Sequence, residues 1–272
     1  MTQEPPVTCY RHPDRETGRR CTRCGRPACP ECLREASVGS HCVDCVKAAA
    51  PTTGQRVGVL VRGQNLIATK AIVGINVIAF VVFALSDSRV DGSGPTSARF
   101  ALTGPDVHNG EWWRIFTSSF VHYGFIHLFF NMLLLWIIGQ ILEPGAGPLR
   151  FTLLYVVSVA AGSAAALIVS PLALTGGASG GVFGLAAAAT LVMWRQGMRF
   201  WDTGFGPLII INLVFDYFTP GISIAAHIGG AIGGLLAAEA MLQSRKTGHP
   251  ELGIAAAFVI GMAAVVVCLA VA

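Results

Sequence analysis

Residues 177–194 read GASGGVFGLAAAATLVMW, an apolar run without a charged residue that opens on Gly177-Ala178-Ser179-Gly180. Its length is close to the ~20 residues that a membrane-spanning helix needs. The hydroxyl of Ser179 is isolated among glycines where one apolar segment ends and the next begins, and His227 lies in a later apolar segment. This arrangement makes Ser179 a candidate nucleophile and His227 its candidate base inside a membrane.

The whole chain has the composition of a membrane protein. Of its 272 residues, 53% are hydrophobic and 12% are charged, whereas soluble domains carry roughly 25% charged residues. Seven apolar stretches occur, at about residues 71–86, 126–142, 151–170, 178–194, 207–218, 222–242 and 252–272. They predict an all-α polytopic membrane protein. The net charge of +4 then reflects topology, and we expect no nucleic-acid partner.

The distribution of Lys and Arg predicts the orientation of the spans, because basic residues near span ends stay on the cytoplasmic side. Alternate segments are basic: the N-terminal region, the turn with Arg150, the loop with Arg195 and Arg199, and the loop with Arg245 and Lys246. The loops around Pro171 and residues 219–221 contain no Lys or Arg. We therefore expect a multi-pass protein of the cell membrane with its N-terminus in the cytoplasm and its C-terminus outside.

The segment at about residues 87–120 lies outside in this topology, although its Arg89, Arg99 and Arg114 run against the rule. The first 20 residues have no apolar core, so the sequence predicts no cleavable signal peptide. We expect the first span itself to start membrane insertion.

Cysteines are concentrated near the N-terminus, where seven of the eight lie within the first 45 residues. With one histidine they form four pairs of candidate metal ligands: Cys9 and His12, Cys21 and Cys24, Cys29 and Cys32, and Cys42 and Cys45. Four pairs suffice for two tetrahedral Zn²⁺ ions. Disulfides are the alternative. A cytoplasmic segment keeps its thiols reduced, however, and one with few large apolar residues needs a metal in place of a core.

We therefore predict a cytoplasmic zinc-binding module at residues 1–46 and a linker at residues 47–66. The pair spacing resembles a B-box-type cross-braced zinc finger. By that resemblance, one structural Zn²⁺ binds Cys9, His12, Cys29 and Cys32, and the other binds Cys21, Cys24, Cys42 and Cys45. His41 is an alternative ligand to Cys42. The module is either purely structural or a docking surface for a cytoplasmic protein partner.

Few strongly polar residues lie within the apolar stretches, where each costs about 2.5–3.5 kcal/mol at a helix centre unless it is satisfied. His127 and Asn131 are four residues apart and share one helical face. Ser179 opens the fourth stretch, and His227 lies in the sixth. Each of them singly is explained by a hydrogen bond to a neighbouring helix. Together they form a candidate catalytic set.

Glycines explain how the serine and the histidine meet. Gly180 and Gly184 follow the serine on the fourth span, and Gly230 and Gly234 share the side of the histidine on the sixth. Faces of small residues let two helix backbones approach closely. If these two faces pack together, the histidine comes within hydrogen-bond reach of the serine, as proton abstraction requires.

Four motifs together resemble the rhomboid intramembrane serine proteases over about residues 68–272, within a predicted membrane domain at 67–272. They are Trp113-Arg114, the set His122, His127 and Asn131, Gly177-Ala178-Ser179-Gly180, and Ala226-His227-Ile228-Gly229-Gly230. The resemblance implies a six-helix core, here followed by a seventh C-terminal helix. It also implies that the substrate is another membrane protein, cleaved where its spanning helix unwinds near the outer face.

By this resemblance Ser179 is the nucleophile and His227 its general base, in a dyad without an acidic member. His127 and Asn131 donate hydrogen bonds to the oxyanion, and Trp113 and Arg114 belong to a loop embedded in the outer leaflet. Phe183 departs from the family pattern, since many relatives have a tyrosine there that stacks on the catalytic histidine. We expect activity without that hydroxyl.

Three alternatives stay open at the level of sequence. Asp216 is a conceivable third catalytic member, although its place near the end of the fifth span favours an interfacial or helix-pairing role. A catalytically inactive rhomboid-like adaptor or chaperone is the main rival to the protease. A channel or transporter would show more polar lining and inverted repeats, neither of which is evident.

Overall fold

The computed structural model describes residues 6–36, 39–49, 65–197, 206–218 and 222–272. The chain divides into two compact units, Met1–Arg62 and Gly63–Ala272. Most of the predicted linker at 47–66 lies outside the described residues, as do Arg199 and the loop at 219–221.

The N-terminal unit contains little regular structure. A 3₁₀ turn at Pro30–Cys32 leads into strand β1 (Leu33–Glu35), which pairs antiparallel with β2 (Ser40–Cys42) and is followed by helix α1 (Val43–Ala49). Cysteines and one alanine, not large apolar side chains, form the buried cluster of this unit. Such a core is too small to stabilise a unit of this size without cross-links or metal.

The second unit is built from long helices that match the seven predicted apolar stretches. They are α2 (Ile67–Asp87), α6 (Phe125–Ala146), α7 (Pro148–Val169), α8 (Ser179–Arg195), α9 (Gly206–Phe218), α10 (Ile224–Lys246) and α11 (Pro250–Val271). Within the described ranges, α2, α6, α7, α10 and α11 are long and apolar enough to span a membrane. Helices α8 and α9 are shorter, with 17 and 13 residues. The chain is an all-α multi-pass membrane protein.

Three short helices lie between α2 and α6. They are α3 (Pro95–Phe100), α4 (Gly104–His108) and α5 (Arg114–Thr117), and a 3₁₀ turn at Ser118–Phe120 follows. Thr103 is the N-cap residue of α4, and its side chain accepts a hydrogen bond from the backbone N–H of Asp106. This connecting segment, residues 88–124, leads the chain into α6 beside the candidate site.

Helix α10 lies at the centre of the bundle, packed against α7, α8 and α11. Its glycines make the close approach to α8 possible. A Cβ atom on Gly230 would overlap the carbonyl oxygen of Gly180, and one on Gly234 would overlap that of Gly184. The two glycine faces identified in the sequence therefore pack against each other, as small residues allow in membrane helices.

A buried carboxylate that the sequence patterns do not reveal connects two helices. Glu143, near the end of α6, accepts the backbone N–H groups of Ala68 and Thr69 at 2.8 and 2.9 Å and the Thr69 hydroxyl at 2.6 Å. These N–H groups belong to the first turn of α2, where a helix leaves its donors unsatisfied. The carboxylate therefore caps α2 and attaches it to α6.

Candidate active site

Ser179 and His227 meet inside the helical bundle. Ser179 is the first residue of α8, and His227 lies in the first turn of α10. The Ser179 Oγ and His227 Nε2 atoms are 2.7 Å apart, and the two side chains are 4% and 1% exposed. At this distance a serine hydroxyl hydrogen-bonds to an imidazole nitrogen, the contact that a nucleophile and its base require.

The segment before Ser179 is hydrogen-bonded to the connecting segment 88–124. Leu102 and Thr175 exchange two backbone hydrogen bonds, at 2.8 and 2.9 Å. The backbone N–H of Gly177 donates to the carbonyl of Ser118 at 2.9 Å, and Gly177 has a φ of +131°, a conformation that favours glycine. The chain therefore turns sharply into α8 and begins the helix at the serine.

The start of α8 offers free backbone donors. Ala178 is the N-cap residue and no side chain caps the helix. The first N–H groups of a helix have no partner within it, and the helix dipole adds a partial positive charge at this end. The backbone beside Ser179 is therefore suited to hold a negatively charged oxygen.

An aromatic ring covers the imidazole of His227. Phe183, one helical turn after Ser179, stacks on His227 with ring centroids 4.5 Å apart and an interplanar angle of 17°. This stacking contact is a second contact of the imidazole, in addition to its hydrogen bond with Ser179. Phe183, which departs from the family pattern, therefore still stacks on His227.

His127 also faces the serine, at the start of α6. An idealised Cβ atom on Gly177 would lie 3.2 Å from His127 Nε2 and 3.5 Å from Ser179 Oγ, so both atoms border the same space. The backbone N–H of Tyr123 donates to His127 Nδ1 at 3.3 Å. A neutral imidazole that accepts at Nδ1 carries its proton on Nε2. Among the described residues, this buried Nε2 has no hydrogen-bond partner.

Asn131 lies one turn further along α6 and is also buried. Its side-chain amide donates to the carbonyl of His127 at 3.0 Å, which occupies one of its two amide hydrogens. Its position is therefore tied to that of His127.

Trp113 and Arg114 differ in their surroundings. Trp113 is 42% exposed, whereas Arg114 is buried within the connecting segment 88–124. The Arg114 guanidinium lies 2.5 Å from Glu111 and 3.2 Å from Asp106, and it donates to the carbonyls of Ala98 and Ala101 at 2.6 and 2.8 Å. Arg114 therefore joins α3, α4 and α5 into one structure.

A small polar cavity borders the serine. The centre of a water molecule can occupy about 20 Å³ of it, and its lining includes Ser119, Ser163, Thr175 and Ser179. A water molecule needs roughly 10–15 Å³ measured in this way, together with two or more polar partners. The cavity is therefore large enough for a single water molecule next to Ser179.

The N-terminal unit holds two clusters of candidate metal ligands. One contains Cys9, His12, Cys29 and Cys32, and the other contains Cys21, Cys24, Cys42 and Cys45. Within each cluster the ligand atoms lie within 4.8 Å of one another. All eight cysteines are free thiols. The grouping is the one that the cross-braced pairing implies, and it includes Cys42 and not His41.

The distances within the clusters fit a tetrahedral metal. His12 Nδ1 lies 3.4 Å from Cys29 Sγ and 3.5 Å from Cys32 Sγ, and the Sγ atoms of Cys24 and Cys42 are 3.8 Å apart. A tetrahedron with Zn–S bonds of about 2.3 Å has edges of roughly 3.8 Å. The residues present therefore fit a Zn²⁺ ion in each cluster.

In each cluster, backbone N–H groups favour the thiolate form of one buried cysteine, Cys9 in the first and Cys21 in the second. Burial raises the pKa of the Cys9 thiol, but hydrogen bonds from the backbone of Cys29, Arg11 and His12 outweigh it and lower the pKa to about 6. Burial also opposes ionisation of Cys21, yet backbone hydrogen bonds lower its pKa to about 6. Because the thiolate is the ligand form of cysteine, these contacts suit metal binding.

The sequence did not reveal several contacts of the site. The sequence does not indicate which ring nitrogen of His127 carries the proton, because a backbone N–H group decides this. It also does not indicate that Asp106 and Glu111 are the carboxylates that pair with the buried Arg114. The side chain of Asp216 lies outside the described residues, so its role as a third catalytic member stays a prediction.

Comparisons with known proteins identify the class to which this fold and site belong. The family model of the rhomboid domain matches residues 109–244, which span α5 to α10. The chain belongs to the rhomboid family.

Individual relatives cover similar ranges. The chain is 39% identical to rhomboid protease GluP of Bacillus subtilis over 138 residues, which cover 50% of the chain and 27% of GluP. It is 32% identical to the rhomboid protein YdcA of the same organism over 146 residues, covering 52% of the chain and 72% of YdcA. Inactive rhomboid-related protein 2 of Caenorhabditis elegans is 31% identical over 173 residues, covering 58% of the chain and 49% of that protein.

Proposed function

We propose that the protein is an intramembrane serine protease that hydrolyses peptide bonds in or near the spanning segments of other membrane proteins. The observation that carries the proposal is the 2.7 Å contact between Ser179 Oγ and His227 Nε2 inside a helical bundle. Relatives named proteases support the reaction class. One relative is named inactive, so family membership alone does not decide between a protease and an adaptor.

The first step is attack by the serine. The Ser179 hydroxyl donates its proton to His227 Nε2 as the Oγ atom forms a bond to the scissile carbonyl carbon. His227 then carries a positive charge, which the Phe183 ring stabilises from its face.

Stabilisation of the oxyanion is the second requirement. His127 Nε2 borders the same space as Ser179 Oγ, and the uncapped first N–H groups of α8 belong to Ser179 and the residues that follow it. We assign both as donors to the oxyanion. Asn131 supports this set through its bond to the His127 carbonyl and through its second amide hydrogen. These donors are neutral, so no permanent charge is buried before the reaction. Preorganised donors of this kind contribute a large part of catalysis in acyl transfer.

Release of products completes the cycle. The protonated His227 donates its proton to the leaving amine, which leaves an acyl ester on Ser179. Water then attacks the ester carbon with His227 as base, and Oγ regains its proton. The polar cavity beside the serine is a place from which that water is supplied.

The substrate is a spanning helix that unwinds locally. Helical peptide bonds are shielded because their carbonyl and N–H groups are bonded along the helix. The bond to be cleaved must therefore be extended before it reaches Ser179, which lies within the bundle at 4% exposure. Small residues in the substrate make this unwinding easier.

Orientation and the N-terminal module complete the proposal. By the distribution of Lys and Arg, the N-terminus is cytoplasmic, the C-terminus is outside, and the site opens to the outer face. Two structural Zn²⁺ ions, one in each cysteine cluster, stabilise the N-terminal unit. Zinc has no part in the hydrolysis.

The proposal is tested by cleavage of a single-span model substrate in liposomes. Purified wild type is compared with the variants Ser179→Ala and His227→Ala. The matched control variants are Ser170→Ala and His249→Ala, which change an exposed serine and an exposed histidine. We expect cleavage by wild type and both controls and none by the two site variants. Absence of cleavage by folded, metal-loaded wild type across several substrates would favour the adaptor.

A further inference from the structure

A second cavity lies at the end of the bundle opposite to Ser179. It occupies about 290 Å³ between the last turns of α6, α8 and α10 and the start of α7. Its wall is mainly apolar and includes Leu154, Ala188, Val192 and Met241. This volume is close to the lower end of the roughly 300–1,000 Å³ that small-molecule sites enclose.

Two arginines line the cavity, and both donate hydrogen bonds to backbone carbonyls at the end of α6. Arg150 donates to the carbonyl of Ala146 at 3.4 Å, and Arg245 donates to the carbonyl of Gly145 at 3.2 Å. Both guanidinium groups therefore converge on adjacent carbonyls at the end of α6. Each guanidinium has five N–H donors, and these contacts use one donor each.

No acidic residue lines this cavity among the described residues. The nearest acids on the lining helices are engaged elsewhere. Glu143 caps α2, and Glu239 forms an ion pair with Arg195 and accepts a hydrogen bond from Gln243 at 2.7 Å. Two converging guanidinium groups beside an apolar cavity can therefore bind an anion, and no described residue of the lining supplies one.

We propose that this cavity binds an anionic phospholipid. The phosphate of the headgroup accepts hydrogen bonds from Arg150 and Arg245, and part of one acyl chain enters the apolar cavity. Planar guanidinium groups match phosphate oxygens in geometry and charge. Basic pockets between spanning helices bind anionic headgroups in this way. Because the site lies at the far end of helices α6, α8 and α10, the inference does not depend on proteolysis.

The experiment measures lipid retention by native mass spectrometry of the purified full chain. The probes are phosphatidylglycerol, phosphatidylcholine with the same acyl chains, and inorganic phosphate. We expect one phosphatidylglycerol to be retained in preference to phosphatidylcholine. Inorganic phosphate should neither be retained nor compete, since it has no acyl chain to fill the cavity.

Charge variants locate the lipid. The double variant Arg150→Gln, Arg245→Gln should weaken retention of phosphatidylglycerol roughly thirtyfold. The matched control is Lys246→Gln, which removes a neighbouring exposed charge outside the cavity and should leave retention unchanged. Equal retention of both lipids by wild type, or equal loss in Lys246→Gln and the double variant, would overturn the proposal. Thermal unfolding of each variant verifies that it is folded.

Discussion

The ring of Phe183 lies face to face with the imidazole of His227, with centroids 4.5 Å apart. The two residues come from different helices, α8 and α10, and the contact exists because glycine faces let those helices approach. The imidazole of His227 therefore lies between a ring without a hydroxyl group and the Oγ atom of Ser179, which it contacts at 2.7 Å.

The first prediction concerns this ring. Phe183→Ala should lower kcat by up to about tenfold, because the stacked pair is lost. It should also lower the thermal stability, because the substitution leaves a cavity. Phe183→Tyr preserves the stacking face and should retain activity within about twofold. Steady-state cleavage and thermal unfolding measure the two effects. Full activity in folded Phe183→Ala would show that the ring does not position the base.

The second prediction concerns the oxyanion donors. His127→Ala should lower kcat roughly hundredfold to thousandfold, the usual cost of one oxyanion donor, with little change in KM. Asn131→Ala should also lower turnover, because it removes one donor and releases the carbonyl of His127. Both are measured by steady-state cleavage of the model substrate.

Thermal unfolding serves as the control for these donor variants. The expected pattern is a fall in kcat that is larger than any loss of folded protein explains. Unchanged turnover in folded Asn131→Ala would count against its proposed role, and a rise in KM alone would assign His127 to substrate binding.

The third prediction concerns Arg114. Removing its guanidinium leaves the carbonyls of Ala98 and Ala101 buried without their donors. Arg114→Ala should therefore lower the free energy of unfolding by about 1–3 kcal/mol. Thermal unfolding in detergent measures the loss. Arg99→Ala, which removes an exposed arginine of the same segment, should change stability little. Equal effects of the two variants would contradict the structural role.

The fourth prediction concerns the metal content. Elemental analysis of the purified chain should give two zinc ions per molecule, because each cysteine cluster fits one tetrahedral ion. Cys29→Ser should remove one ion and leave the other. Cys42→Ser should likewise remove one, whereas His41→Ala should keep both.

Cys268 provides the matched control for the metal sites. It is a buried cysteine in α11, outside both clusters, and Cys268→Ser should keep two zinc ions. A metal content that stays at zero in wild type, or that falls in Cys268→Ser, would contradict the assignment.

Much of the fold was predictable because apolar stretches of the right length have few alternatives in a membrane. The seven helices match the predicted stretches, and the chain belongs to the rhomboid family as the motifs implied. Glycines spaced by four residues predicted which helix faces meet, since only small residues allow that approach.

One contact that the sequence did not predict joins residues that are distant along the chain. The cap that Glu143 forms on α2 joins residues about 75 positions apart. The tautomer of His127 depends on a backbone N–H group, which no side-chain pattern marks.

The most direct test of the central claim is covalent labelling of the serine, which needs no knowledge of the substrate. A fluorophosphonate forms a bond between phosphorus and an activated serine Oγ and expels fluoride. Mass mapping of the labelled wild type should find the adduct on Ser179, and His227→Ala should lose it. Ser163→Ala, which changes another buried serine of the same cavity, should retain it. An unlabelled but folded wild type, or undiminished labelling of His227→Ala, would contradict the Ser179–His227 dyad.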